Sequence, residues 1–156
     1  MAGGSFSLIP GPPQVKRPSP EIFAAMGEAG VFAMLEDFYT RLGASEIAHL
    51  FPRDHAELME ASAKSGAFFV GLLGGPPLYH QRHGPPMMRA RHQPFAITDS
   101  ARMEWLRCFG QTLEVAPKRW GFPDEHVRSF RLWLSEFSAW MVNTPEEGEP
   151  GSASGE

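Results

Sequence analysis

The chain has 156 residues, of which 42% are apolar, 12% aromatic and 21% charged. Such a composition builds one core and leaves no room for a second catalytic or cofactor-binding module; it is neither that of a disordered chain nor that of a bundle of membrane spans. Lys and Arg number 14 against 18 Asp and Glu, a net charge of −4, so global charge offers nucleic acid no attraction and leaves open only a local basic patch.

The single cysteine, Cys108, excludes an intramolecular disulfide and a thiolate zinc cluster, and fits a reducing compartment. No apolar run approaches the roughly 20 residues that cross a bilayer, so no membrane partner is expected. The first residues lack the basic start and apolar stretch of a secretory signal. A cytoplasmic protein is expected. Gly, Pro and polar residues crowd positions 1–18 and 144–156, which read as flexible N- and C-terminal arms around one domain at 19–143.

Within the domain the apolar spacing is helical and the alternation of strands is missing, which predicts an all-α fold. Ser19, Pro20 and Glu21 supply a cap, a first-turn proline and a first-turn acid, and a short helix follows until Gly27 and Gly30 interrupt it. Phe32, Leu35, Phe38, Tyr39 and Leu42 then fall on one helical face, which turns Tyr39 inward. From Asp54 to Leu73 a second face carries Leu58, Ala61, Ser62, Ser65, Phe68 and Leu72. The small residues at its middle admit close approach of a helix, the plainer reading, or of a flat ligand.

Gly74-Gly75-Pro76-Pro77 ends this helix, and the stretch to Pro86 reads as a long irregular loop, a feature that often serves function. Met87 to His92 is long enough for only a turn or two of helix before Pro94. Thr98, Asp99 or Ser100 caps the next helix, whose face is expected to hold Met103, Leu106, Phe109 and Leu113, with Trp105 and Cys108 at its border. After the break at Trp120-Gly121-Phe122-Pro123, a last helix from Asp124 to Asn143 places Val127, Phe130, Trp133, Leu134, Phe137, Trp140 and Met141 at core spacing.

Standard constellations fail: neither a dinucleotide nor a phosphate-binding glycine loop is present, nor a His-Glu-x-x-His helix. Cys108 reads as a small buried side chain, since nothing nearby supplies a base. Glu21, Glu36, Glu57, Glu60, Glu104 and Glu136 lie mostly on polar faces and nominate no acid and base pair. Among the histidines, His80 and His83 are spaced for a metal but lack a further ligand and sit in the loop. His92, at the end of a short helix among basic and apolar residues, is placed as an axial imidazole for a flat cofactor would be.

Taken in order, Phe38-Tyr39, Phe51-Pro52, Gly74-Gly75-Pro76 with Tyr79, Gly84-x-Pro86, Arg89-x-Arg91-His92-x-Pro94-Phe95 and Trp105-Leu106-Arg107-Cys108 resemble the truncated haemoglobins of group II, over about positions 20–143. The resemblance implies a globin-like, two-over-two helical sandwich around haem b, iron protoporphyrin IX. It makes His92 the proximal iron ligand, with the Met88 carbonyl as a candidate acceptor for its second nitrogen. It makes Tyr39 and Trp105 the distal donors, whose hydroxyl and indole N–H would slow ligand release. It assigns Phe51, Ala61, Ser65, Phe68 and Phe95 to the haem pocket, and Lys64, Tyr79 and Arg91 to the propionates through charge-assisted hydrogen bonds.

The function so implied is binding of dioxygen, and of carbon monoxide and nitric oxide, by a monomer or homodimer, for storage, transport or scavenging. The alternative is redox turnover, as a nitric oxide dioxygenase or in a peroxidase-like reaction. The first of these would need a separate reductase, because the chain carries no flavin or nicotinamide module. The second is disfavoured because no distal histidine or arginine is expected in the pocket. A helical interaction module without haem is a third reading, and the trio His92, Tyr39 and Trp105 argues against it.

Overall fold

The computed structural model describes residues 13 and 15–146. Most of both expected arms, 1–12 and 147–156, lies outside the described residues. Six α-helices occur among them, and no strand: α1 (Glu21–Gly43), α2 (His55–Leu72), α3 (Leu78–His83), α4 (Met88–His92), α5 (Asp99–Trp120) and α6 (Val127–Met141). Single 3-10 turns precede α2 and α6 at Ala48–Leu50 and Asp124–His126.

The helix starts follow side-chain chemistry. The Ser19 hydroxyl accepts the Glu21 amide at 3.1 Å, Asp54 accepts the Glu57 amide at 3.0 Å, and Thr98, of the three candidates, accepts the Ala101 amide at 3.1 Å. Each satisfies a first-turn N–H that has no partner inside its helix. Gly27 breaks α1 with φ 72° and ψ 171°, a conformation open to glycine and costly for other residues. Gly30, expected to interrupt as well, is helical; a Cβ there would meet Met26 Cβ at 3.2 Å and the Trp120 carbonyl at 3.5 Å. It serves close packing against the end of α5 rather than a break.

α1 packs on α2 and across onto α5, α5 packs on α6, and α4 leans on α6, giving two helix pairs laid one over the other. Phe38, Phe109, Phe122 and Phe130 are fully buried at their centre, with Phe109 4.1 Å from Phe38 and 5.7 Å from Phe130 between ring centroids. Burying one such ring contributes about 1.5–3 kcal/mol, and edge-on pairs add to it.

Two expectations are corrected. The stretch 74–86 is not irregular throughout, because α3 occupies its middle, between Pro77 and Gly84, with Leu78 and Tyr79 turned into the core. The face of α5 is also rotated from the expected one: Met103 is 57% exposed, whereas Cys108 is 1% exposed beside Phe109, Thr112 and Leu113. Cys108 is thus the small buried side chain expected, and burial pushes its thiol further up from its ordinary pKa, away from nucleophilic use.

The flanks of the helical body are tied down. Arg17 donates to the Gly71 and Leu72 carbonyls at the end of α2, and Glu146 accepts from the Ser100 amide and hydroxyl at the start of α5. Between α6 and that carboxylate, Asn143 clasps the segment after His92. Its Oδ1 accepts the Ile97 amide at 2.9 Å, its Nδ2 donates to the Phe95 carbonyl at 2.9 Å, and its own amide reaches the Ile97 carbonyl at 3.0 Å.

Candidate functional site

The helices enclose a cavity of about 610 Å³, within the range of small-molecule and cofactor sites. All of the side chains proposed from the sequence line it: Tyr39, Phe51, Ala61, Lys64, Ser65, Phe68, Tyr79, Arg91, His92, Phe95 and Trp105. They come from α1, α2, α3, α4 and α5 and from two connecting segments, so only the folded chain brings them together.

Helix α4 carries His92 as its last residue. Its first residue follows Met87, which holds a left-handed conformation at φ 41°, unusual for a residue with a side chain. Arg91 secures the approach by donating to the Pro86, His83 and Pro85 carbonyls at 2.6, 2.9 and 3.0 Å. Its guanidinium also lies 5.2 Å over the Tyr79 ring, a cation–π contact. The Nδ1 of His92 lies 2.6 Å from the Met88 carbonyl oxygen. A carbonyl only accepts, so Nδ1 carries the proton and Nε2 of the neutral ring keeps a lone pair. No other protein group among the described residues takes up that nitrogen.

Across the cavity, Tyr39 is half-buried, with its ring 5.6 Å from Phe38 and 5.7 Å from Phe51, both edge-on. Burial pushes its phenol up from the ordinary value, more than the hydrogen bond to Ser65 pulls it down. Trp105 is held edge-on by Phe38 at 5.4 Å and Phe109 at 5.5 Å. Its indole N–H has no partner among the described residues and is not among their buried unpaired polar atoms. Trp105 also lines the cavity.

The small residues of α2 divide between two tasks. Ala61 and Ser65 line the cavity, while Ser62, Gly66 and Ala67 are buried in the helix packing. A Cβ on Gly66 would come within 2.6 Å of the Phe32 ring, so helix packing and the cavity each account for part of the pattern. Phe68 stacks on Phe137 at 5.8 Å and meets Tyr79 edge-on at 6.2 Å, and Phe95 stands 6.4 Å from the His92 ring at the rim, 46% exposed. Lys64 is exposed at the same rim.

The sequence reading missed His49 and Arg102, which also line the cavity. The sequence had led to the expectation of no distal histidine or arginine, and these two residues stand in the cavity wall beside the ones it named. Arg102 is nonetheless committed: it donates to the Ser138 hydroxyl, the Ser135 carbonyl and the Ser135 hydroxyl and lies 3.7 Å from Asp99. Those bonds turn its guanidinium to α6 and leave its stem for the cavity. Arg102 lies in the first turn of α5, four residues after its cap Thr98, and no pattern in the sequence marks it. His80 and His83 sit exposed on α3, with the His83 ring 4.9 Å from Tyr79, and no third metal ligand joins them among the described residues.

A family model of bacterial-like globins matches residues 21–141. The group 2 truncated hemoglobin YjbI of Bacillus subtilis is 38% identical over 132 residues, covering 83% of this chain and 94% of its own. The chain belongs to the group II truncated haemoglobins. The crystal structure of phosphate-bound Hell's gate globin IV superposes on this globin with a TM-score of 0.80 at 36% identity, covering 88% of this chain and 84% of the other. That of the truncated oxygen-avid haemoglobin from Bacillus subtilis does so with a TM-score of 0.66 at 34% identity, over 78% and 98%. The two helix pairs are the two-on-two sandwich of this family, and the protein is a haem-binding globin. No helix among the described residues is long and apolar enough to cross a membrane.

Proposed function

We propose that this globin holds haem b through His92 Nε2 and binds dioxygen, and with it carbon monoxide and nitric oxide, under hydrogen bonds from Tyr39 and Trp105. The observation that carries the reading is the pairing of His92 Nδ1 with the Met88 carbonyl, which leaves the other nitrogen as a ready ligand. The lining suits the group: aromatic walls from Phe51, Phe68 and Phe95, and cationic Lys64 and Arg91 at the rim. Haem, when bound, supplies an iron centre that takes up diatomic gases; the remaining chemistry belongs to the protein.

His92 binds and orients, its Nδ1–H bond fixing the ring and raising the basicity of Nε2. Tyr39, kept protonated by burial, and Trp105 donate to polar ligand atoms in a pocket of low dielectric, where such bonds are stronger than in water. Ser65 orients the Tyr39 oxygen, and small Ala61 leaves the way in unblocked. Lys64, Tyr79 and Arg91 receive the carboxylates of the group at the rim. The oxygen avidity stated for the Bacillus subtilis relative supports dioxygen as a ligand here.

The test is the absorption spectrum of the haem-loaded protein, ferric, ferrous and with dioxygen or carbon monoxide. A histidine-ligated spectrum in the natural protein, lost in His92→Gly and restored by added imidazole, supports the assignment. An unchanged spectrum in His92→Gly overturns it.

A further inference from the structure

Outside the lining of the cavity, three metal-ligating side chains meet from positions 105 residues apart. Glu21 lies in the first turn of α1, and Glu125 and His126 in the turn before α6. One carboxylate oxygen from each glutamate and one ring nitrogen of His126 all lie within 4.8 Å of one another. His126 Nε2 is 2.7 Å from Glu21 Oε1, His126 is half-buried and both glutamates reach solvent.

The backbone beneath the three is held without their help. Ile22 and Phe122, beside them in sequence, are 0% and 2% exposed. The His126 amide donates to the Pro123 carbonyl at 3.0 Å, and a Cβ on Gly121 would stand 3.6 Å from the Ala25 carbonyl, so the α5–α6 connection lies directly on α1. The Glu125 carboxylate has no hydrogen-bond or ion-pair partner among the described residues.

We propose that Glu21, Glu125 and His126 form a surface site for a divalent transition-metal ion of the zinc type. One imidazole with two carboxylates suits such an ion, whereas calcium and magnesium take shells of oxygen alone. Metal bonds near 2.0–2.2 Å in a tetrahedron space their donor atoms roughly 3.3 Å apart. The His126–Glu21 pair at 2.7 Å is tighter than that spacing, all three donors lie within 4.8 Å of one another, and the exposed glutamates adjust by rotation of their own side chains. The fourth position faces water. A bound ion joins the start of α1 to the start of α6, so the folded state gains stability as metal concentration rises.

The experiment is calorimetric titration of the full-length protein with zinc chloride at neutral pH in a non-chelating buffer, with thermal unfolding at each zinc concentration. The natural protein binds zinc and its Tm climbs with concentration. Glu125→Gln, which keeps the His126–Glu21 contact and so the local fold, and His126→Ala each weaken binding more than about tenfold and flatten the rise in Tm. The double variant His80→Ala, His83→Ala binds as the natural protein does. Absence of zinc binding, unaltered binding in Glu125→Gln, or loss of binding in the His80, His83 variant instead, would each overturn the proposal.

Discussion

His92 and Met88 are joined by a hydrogen bond of 2.6 Å from ring nitrogen to main-chain carbonyl, one turn apart on a five-residue helix. The acceptor is backbone, so the Met88 side chain does not enter. Met88→Ala is expected to keep a histidine-ligated spectrum, and His92→Ala to lose it. A loss of ligation in both would mean that side-chain packing, and not the carbonyl, orients the ring.

The distal donors are tested by a cycle of Tyr39→Phe, Trp105→Phe and the double variant, read as the dissociation rate of dioxygen in a stopped-flow experiment. One such bond contributes about 0.5–1.5 kcal/mol, so each single change should speed release by about two- to tenfold. The double change should exceed either. Dissociation unaltered in all three would remove Tyr39 and Trp105 from any contact with the ligand.

Burial holds the Tyr39 phenol above its ordinary pKa of 10.0. It stays a donor throughout the neutral range, and its contribution to dioxygen release should be flat from about pH 6 to 9. The same raised value makes the folded state lose stability as pH climbs past 10, where the unfolded phenol ionises and the folded one resists. Tyr39→Phe should lessen that alkaline loss in unfolding curves.

Glu104 behaves in the opposite sense. The Arg107 guanidinium, paired with it at 2.7 Å, lowers its carboxyl from 4.5 to about 2. The stability this supplies is in place above about 4.5 and is lost as pH falls through about 2. Arg107 is 53% exposed, so the contribution is small and weakens with salt. Acid unfolding of Glu104→Gln should run closer to that of the natural protein in high salt than in low.

Gly66→Ala sets a methyl group 2.6 Å from the Phe32 ring. Helices α1 and α2 must part or the ring must turn, at a cost of about 1–3 kcal/mol, readable as a lower urea midpoint. An unshifted midpoint would show that Phe32, beneath the Arg82 guanidinium, moves freely.

Much of this fold was legible because it rests on local chemistry. Ser19, Asp54 and Thr98 announce helix starts, Gly27 a break, and the spacing of Phe130, Trp133, Leu134 and Phe137 a buried face that the structure bears out. Helix α3 escaped because six residues show less than two turns of periodicity, and flanking Pro77 and Gly84 dominate the pattern. The face of α5 was misjudged because Met103 and Cys108 are both apolar, and only the neighbours decide which one is covered. His49 and Arg102 join the cavity wall through tertiary placement alone. The residues named from the family pattern were found because that pattern records a three-dimensional arrangement that no local periodicity contains.

The Asn143 clasp also bears on the order in which the molecule is made. Phe95 and Ile97, after His92, take their place through bonds to a residue 48 and 46 positions later, beyond α6. A ribosome emitting this chain releases α1 to α4 while the amides and carbonyls at 95–97 still lack their partners. The half of the cavity bearing His92 closes only once α6 and Asn143 have emerged and docked.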